Sequence, residues 1–229
     1  RTQGKNKEIT MTIPYKNFGF KKEGDLHEFL EGLSPDIFVE TGTDKARTII
    51  FLLSLHTHFK KIHSIELQED RQAFNSQYLP SQITAAKEQA PEWEEPDIDL
   101  HIGPSQEVLP EILQNITTPT VFFLDAHHSG EGSGGEEYSL EEIIENELHT
   151  ILTHTVPNHP IIVDDVNQDF AETRLLKIFK QHNALSSYHL HLTEEATEEG
   201  RASWPWGDEL FSNLTRKDKL LICIPKKSQ

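Results

Sequence analysis

Cysteine is nearly absent: Cys223 is the single cysteine among 229 residues. An internal disulfide is excluded, and a lone thiol inside an apolar run reads as a small core residue of a reducing compartment. Basic residues are scarce as well, with 21 Lys and Arg against 38 Asp and Glu and a formal net charge of −17. A surface that acidic repels phosphate backbones and anionic headgroups, so nucleic acid and membrane surfaces are not the expected partners. The pair Lys60-Lys61 reads as the solvated flank of a strand. No apolar run approaches the roughly 18 residues of a membrane span, and residues 1–12 contain no apolar segment of the signal-peptide kind. The expectation is a soluble, cytoplasmic chain, with an upstream targeting or anchor segment left open. A catalytic serine motif, a P-loop, a CxxC pair, internal repeats and low-complexity tracts are all missing.

What remains is ordinary globular composition, 35% hydrophobic and 26% charged, which excludes disorder along the whole chain. The length suits one domain. Short runs rich in Ile, Val and Phe alternate with stretches of helical period, which predicts a Rossmann-like, doubly wound α/β sheet with helices on both faces. Six or seven strands are predicted, at 36–41, 61–67, 98–103, 120–125, 161–165, 186–193 and 220–224. The run at 120–125 is almost continuously apolar, as a central strand covered on both faces should be. The alternation of Tyr188, Leu190 and Leu192 with Ser187, His189 and His191 predicts a strand nearer an edge. Ser139 with Glu142 forms a capping box, and Leu140, Ile143, Ile144 and Leu148 form the buried stripe behind it. Residues 1–35 read as an N-terminal extension or helix and 36–229 as the core. The core carries a Pro-punctuated insertion at 80–96, in which only 83–89 is helical, and an irregular loop at 194–215 containing Trp204-Pro205-Trp206-Gly207.

In an open parallel sheet the ligand lies outside the carboxyl ends of the strands, at the point where chain order reverses. Those ends are acidic. The first strand ends Glu40-Thr41-Gly42-Thr43, a turn in which Gly42 would let backbone N–H groups approach a ligand at a helix N-terminus. Glu66 ends the second strand, near the offset at which an acid accepts ribose hydroxyls in dinucleotide folds. Asp125 ends the fourth strand and Asp164-Asp165 the fifth. Carboxylates gathered at neighbouring strand ends repel unless a cation sits among them, and oxygen ligands suit Mg²⁺, Mn²⁺ or Ca²⁺. The alternative is that Asp165 caps a helix and Asp164 marks a strand end. His127, two residues beyond Asp125, is the candidate general base. The Gly-rich segment 129–135 reads as a lid or as a long connection.

Taken together, Glu-Thr-Gly-Thr at 40–43, Ser-Ile-Glu-Leu at 64–67, Leu-Asp-Ala-His at 124–127 and Val-Asp-Asp at 163–165 resemble a class I S-adenosylmethionine (SAM)-dependent methyltransferase of the ETGT/LDAH type. The acid pattern is similar to that of metal-dependent small-molecule O-methyltransferases. The resemblance covers roughly residues 36–165 and implies a Rossmann-like, doubly wound sheet of seven strands with the last one antiparallel. It implies that Glu40, Thr41, Gly42 and Thr43 wrap the methionine part of SAM, that Glu66 holds the ribose, and that Ser105 lies near the adenine. It further implies that Asp125, Asp164 and Asp165 ligate Mg²⁺, with Asp125 also lining the cofactor. The activity implied is O-methylation of a small hydroxylated, sugar-like acceptor, with His127 taking the proton. Two positions depart from the pattern: Ala46 replaces the second glycine of the first turn, and Pro104 stands where an acid usually follows Gly103. A non-methylating ligand-binding module, and a metal-dependent nucleotide-sugar or hydrolytic enzyme, are the alternatives.

Overall fold

The computed structural model describes residues 32, 35–126, 139–166, 170–192 and 219–226. Seven branched or aromatic runs form strands: β1 Ile37–Thr41, β2 Lys61–Glu66, β3 Asp97–Ile102, β4 Val121–Leu124, β5 Ile161–Val166, β6 Tyr188–Leu192 and β7 Lys219–Pro225. Between them lie α1 Arg47–Ser54, α2 Glu69–Gln89, α3 Ser105–Leu113, α4 Leu140–Leu152 and α5 Leu176–Gln181, the last preceded by a π-helical turn at Ala171–Leu175. The sheet order is β3-β2-β1-β4-β5-β7-β6. The first five strands pair in parallel, and β7 runs antiparallel between β5 and β6. The apolar strand β4 is central and the alternating strand β6 is an edge, as the two sequence patterns predict.

Strand alternation sends side chains to two cores. On one face Phe38, Ile62, Val121, Ile162 and Ile222 pack against Ala46, Ile49, Leu52 and Leu53 of the α1 region and Leu79 and Ala86 of α2. On the other, Val39, Ile65, Phe122, Leu124 and Val163 meet Leu109 and Ile112 of α3, Ile144 and Leu148 of α4, and Phe179 of α5. Cys223 is buried in this second core. The capping box at the start of α4 is formed: the Ser139 hydroxyl accepts from Glu142 N–H, and the Glu142 carboxylate accepts from Ser139 N–H.

The expected break at Pro80 is not there. Helix α2 runs unbroken from Glu69 to Gln89 with Pro80 inside it. Proline removes one helical N–H and crowds the preceding turn, yet its ring is on the exposed side. The buried face continues past it through Leu79 and Ala86, and this burial outweighs the lost bond. The segment 80–89 therefore belongs to a crossover helix. The loop at 194–215 and, apart from Gly32 and Pro35, the N-terminal extension lie outside the described residues. No described helix is long and apolar enough to cross a membrane.

Candidate functional site

Chain order reverses between β1 and β4, which marks the carboxyl ends of these two strands as the crevice of an open α/β sheet. Gly42 sits at its floor with φ +85, and a Cβ there would lie 2.2 Å from the Asp125 carbonyl oxygen. Only glycine lets the β1 turn pass so close to the end of β4. The turn's amides have partners: Gly42 N–H and Thr43 N–H both donate to Ile65 O, at 2.9 and 3.1 Å. This corrects the expectation that the Gly42 turn presents its N–H groups to a ligand. Its glycine answers to a close approach within the protein, and its amides fasten the turn to β2.

The rest of the turn is held as firmly. Asp44 N–H donates to Glu66 Oε2 at 2.8 Å, Asn75 Nδ2 donates to Asp44 O at 2.9 Å, and Arg71 pairs with the Asp44 carboxylate at 2.8 Å. Asp44 and Ala46 have φ of 42 and 54, so the position where the resemblance implies a glycine has a glycine-like backbone. Alanine tolerates it at a cost of about 1–2 kcal/mol, and its methyl group is fully buried.

Two buried carboxyls flank the end of β1. Glu40 accepts from the Ser64 hydroxyl at 2.6 Å, and Ser64 in turn meets Thr43 Oγ1 at 2.7 Å. Desolvation pushes the Glu40 carboxyl up to about 8, against hydrogen bonds from Ser64 and Thr48 and with help from the nearby charges of Asp125 and Glu66. Thr41 points to the opposite face of the sheet. It accepts from Asp125 N–H at 3.3 Å and donates to Glu147 Oε2 of α4 at 3.3 Å. Burial likewise raises Glu147 to about 8, opposed by hydrogen bonding to Ser105 and Thr41 and reinforced by Asp125. Both groups are therefore mostly neutral acids at pH 7, and Asp125 is a charge common to both.

Glu66 ends β2 nearly buried and accepts from Asp44 N–H and Gln68 N–H, one on each oxygen. A carboxylate offers about four acceptor sites, so each oxygen keeps capacity for a ligand hydroxyl. Beside it, Leu67 is 41% exposed and Ile102, the register partner of Glu66, is 54% exposed. Large aliphatic side chains left open beside a buried acid make a surface for a flat apolar ring. Ser105, buried, opens α3 next to this edge.

The register pair Leu124 and Val163 puts Asp125 and Asp164 one step further along neighbouring strands. Asp165 belongs to β5, but its side chain, together with His127, His128, the segment 129–135 and Trp204–Gly207, lies outside the described residues. Sequence reasoning missed Glu147, Gln72 and Asn75. Gln72 donates to both Ser64 O and His101 O, bridging β2 and β3 under the crevice. Glu147 was detectable as an acid on the buried stripe between Ile144 and Ile151.

No protein-family model matches the chain, and no curated protein matches it in sequence. Solved structures do match in shape. The O-methyltransferase TomG of Streptomyces achromogenes, in complex with SAM, is 15% identical at a TM-score of 0.56, over 90% of this chain and 79% of that one. An O-methyltransferase of Bacillus cereus in complex with S-adenosylhomocysteine (SAH) is 12% identical at a TM-score of 0.56, over 89% of this chain and 80% of that one. A Clostridium thermocellum protein assigned as an rRNA methylase is 13% identical at a TM-score of 0.55, over 93% of this chain and all of the other, 100%. At these identities the likeness is one of fold: a seven-stranded, Rossmann-like sheet with its last strand antiparallel.

Proposed function

We propose that this chain is a SAM-dependent methyltransferase that transfers a methyl group to an oxygen of a small hydroxylated, sugar-like acceptor with the help of a divalent cation. The observation that carries the reading is the crevice edge at β2 and β3, where the buried Glu66 carboxylate adjoins exposed Leu67 and Ile102. That pairing suits a nucleoside, whose base seeks an apolar face and whose vicinal hydroxyls seek an acceptor pair. Glu40, Thr41 and Thr43 border the place where the methionine part would follow, and Ser105 borders the base. Neutral Glu40 and Glu147 keep the interior beside Asp125 from accumulating negative charge.

Asp125, Asp164 and Asp165 are the residues that would hold the cation, which when bound supplies a lowered hydroxyl pKa and a template for the acceptor oxygen. His127 is assigned the acceptor's proton. The fold serves acceptors of different classes and does not select among them. The net charge of −17 does, because it disfavours a polyanion and favours a neutral or cationic small molecule in the cytoplasm.

Calorimetric titration of SAM, with SAH alongside, is expected to give micromolar binding to the full chain. Replacing Glu66 with alanine removes a charge-assisted hydrogen-bond acceptor worth about 1.5–3 kcal/mol, so affinity should drop roughly tenfold or more, with the fold checked by circular dichroism. Absence of heat with either ligand would sink the methyltransferase reading. The cation is tested separately: Mg²⁺ titrated into the SAM complex should bind, and Asp164→Ala should abolish that binding while SAM binding persists. Unchanged Mg²⁺ binding in the variant would take Asp164 out of the ligand set.

A further inference from the structure

A second cluster lies on the opposite face of the sheet from Glu66, on β2 and β3. His63 and Asp99 are register partners, and His101 follows Asp99 on the same face of the edge strand. His63 Nδ1 is 3.1 Å from His101 Nε2 and 3.5 Å from Asp99 Oδ2. One ligand atom from each of the three residues falls within 4.8 Å of the others, the only such group of three among the described residues. The side chains of His63 and Asp99 are 16% and 44% exposed, so the cluster opens to solvent at its rim.

We infer that His63, Asp99 and His101 form a binding site for a divalent transition metal, and specifically for Zn²⁺. The donor set, two imidazole nitrogens and one carboxylate oxygen, is the borderline kind that selects zinc over Mg²⁺ or Ca²⁺. The spacing agrees. Ligands held about 2.0–2.1 Å from a tetrahedral zinc stand roughly 3.3 Å from one another, and the two measured separations bracket that value. Three protein ligands leave the fourth position for water.

Lys61 is the resident competitor. Its ammonium pairs with Asp99 Oδ2 and with Asp97, each at 2.6 Å. Zinc displaces it from Asp99 and leaves it on Asp97. The ion then joins the edge strand β3 to β2 through side chains, where β3 otherwise has one neighbouring strand. This site does not rest on the cofactor reading, since none of its three residues is assigned to the cofactor.

The test is Zn²⁺ alone, titrated into metal-stripped full chain at pH 7.5 by calorimetry, with Co²⁺ absorption reporting coordination geometry. One equivalent bound at micromolar affinity, strong visible bands of tetrahedral Co²⁺ and a raised melting temperature are expected. Other histidine pairs exist, His149 with His182 at 2.6 Å and His154 with His159 at 3.0 Å, so location is decided by variants. His101→Ala and Asp99→Asn should each weaken zinc by more than the 10–100-fold typical of changes outside the ligand set, with metal-free circular dichroism unchanged. Lys61→Gln should tighten it several-fold. Stoichiometric binding that survives in His63→Ala/His101→Ala would overturn the proposal, and so would a full chain that takes up no zinc. A Lys61→Gln protein that binds no better would remove Asp99 from the site and overturn the three-ligand assignment.

Discussion

Gly42→Ala is expected to lower the stability of the fold by about 2–5 kcal/mol, a large share of the roughly 5–15 kcal/mol that holds a domain together. Two costs add. A side chain at φ +85 is penalised by about 1–2 kcal/mol. The new Cβ would also lie 2.2 Å from the Asp125 carbonyl oxygen and 2.6 Å from its carbon, an overlap of the kind that costs about 1–3 kcal/mol in a packed interior. Rotamer adjustment cannot relieve it, because both the intruding atom and its neighbour are fixed to backbone. Asp125 cannot retreat cheaply, since its N–H is bonded to Thr41 O at 3.0 Å. The turn cannot retreat either, with Gly42 and Thr43 both fastened to Ile65 O. Urea denaturation checks the loss of stability, and SAM titration of the residual folded protein should show weaker binding because Asp125 has moved. A variant with the parent midpoint would mean that the β1 turn and the end of β4 are less closely packed than described.

Gly42 also illustrates what can be read from sequence and what cannot. A glycine after a strand is visible, but its reason, a carbonyl contributed by a distant strand, exists only once β1 and β4 are paired. The sheet itself was legible because each strand announces its place: uninterrupted Val-Phe-Phe-Leu can lie only under cover on both faces, and strict alternation at 188–192 fits only a strand with one wet side. The acids at the strand ends were legible for the same reason, since the rule that ligands lie at carboxyl ends says where to look. Glu147 escaped because it approaches Thr41 from a helix. His63, Asp99 and His101 escaped because their meeting depends on the β2–β3 register, which decides that His63 faces Asp99 and not its neighbour. Pro80 misled in the other direction: a local breaker was read as decisive where burial on both sides of it kept the helix whole.

The second large effect is on pH. Glu40 and Glu147 each have a folded-state value near 8 against an ordinary 4.5. Between these values the folded chain keeps two protons that the unfolded chain has released, so stability falls as pH rises, by up to about 1.4 kcal/mol per pH unit for each group. Buried histidines act oppositely. His63 and His159 are held near 4 against 6.5, so unfolding takes up protons below pH 6.5 and stability is lost as pH falls through that range. From pH 4.5 to 6.5 the two opposing pairs largely cancel. From pH 6.5 to 8, of these four groups only the carboxyls still contribute, and the stability measured by urea midpoints should decline by several kcal/mol across that window. Glu40→Gln and Glu147→Gln keep the shape and a hydrogen-bonding side chain but carry no proton to lose. Each should remove about half of the slope, and the double variant should be flat from pH 6.5 to 8. A wild-type profile that is level across this window would show that both carboxyls already ionise in the folded chain. Asp125 would then share its surroundings with two further negative charges, and the buried acids would need a cation to remain there.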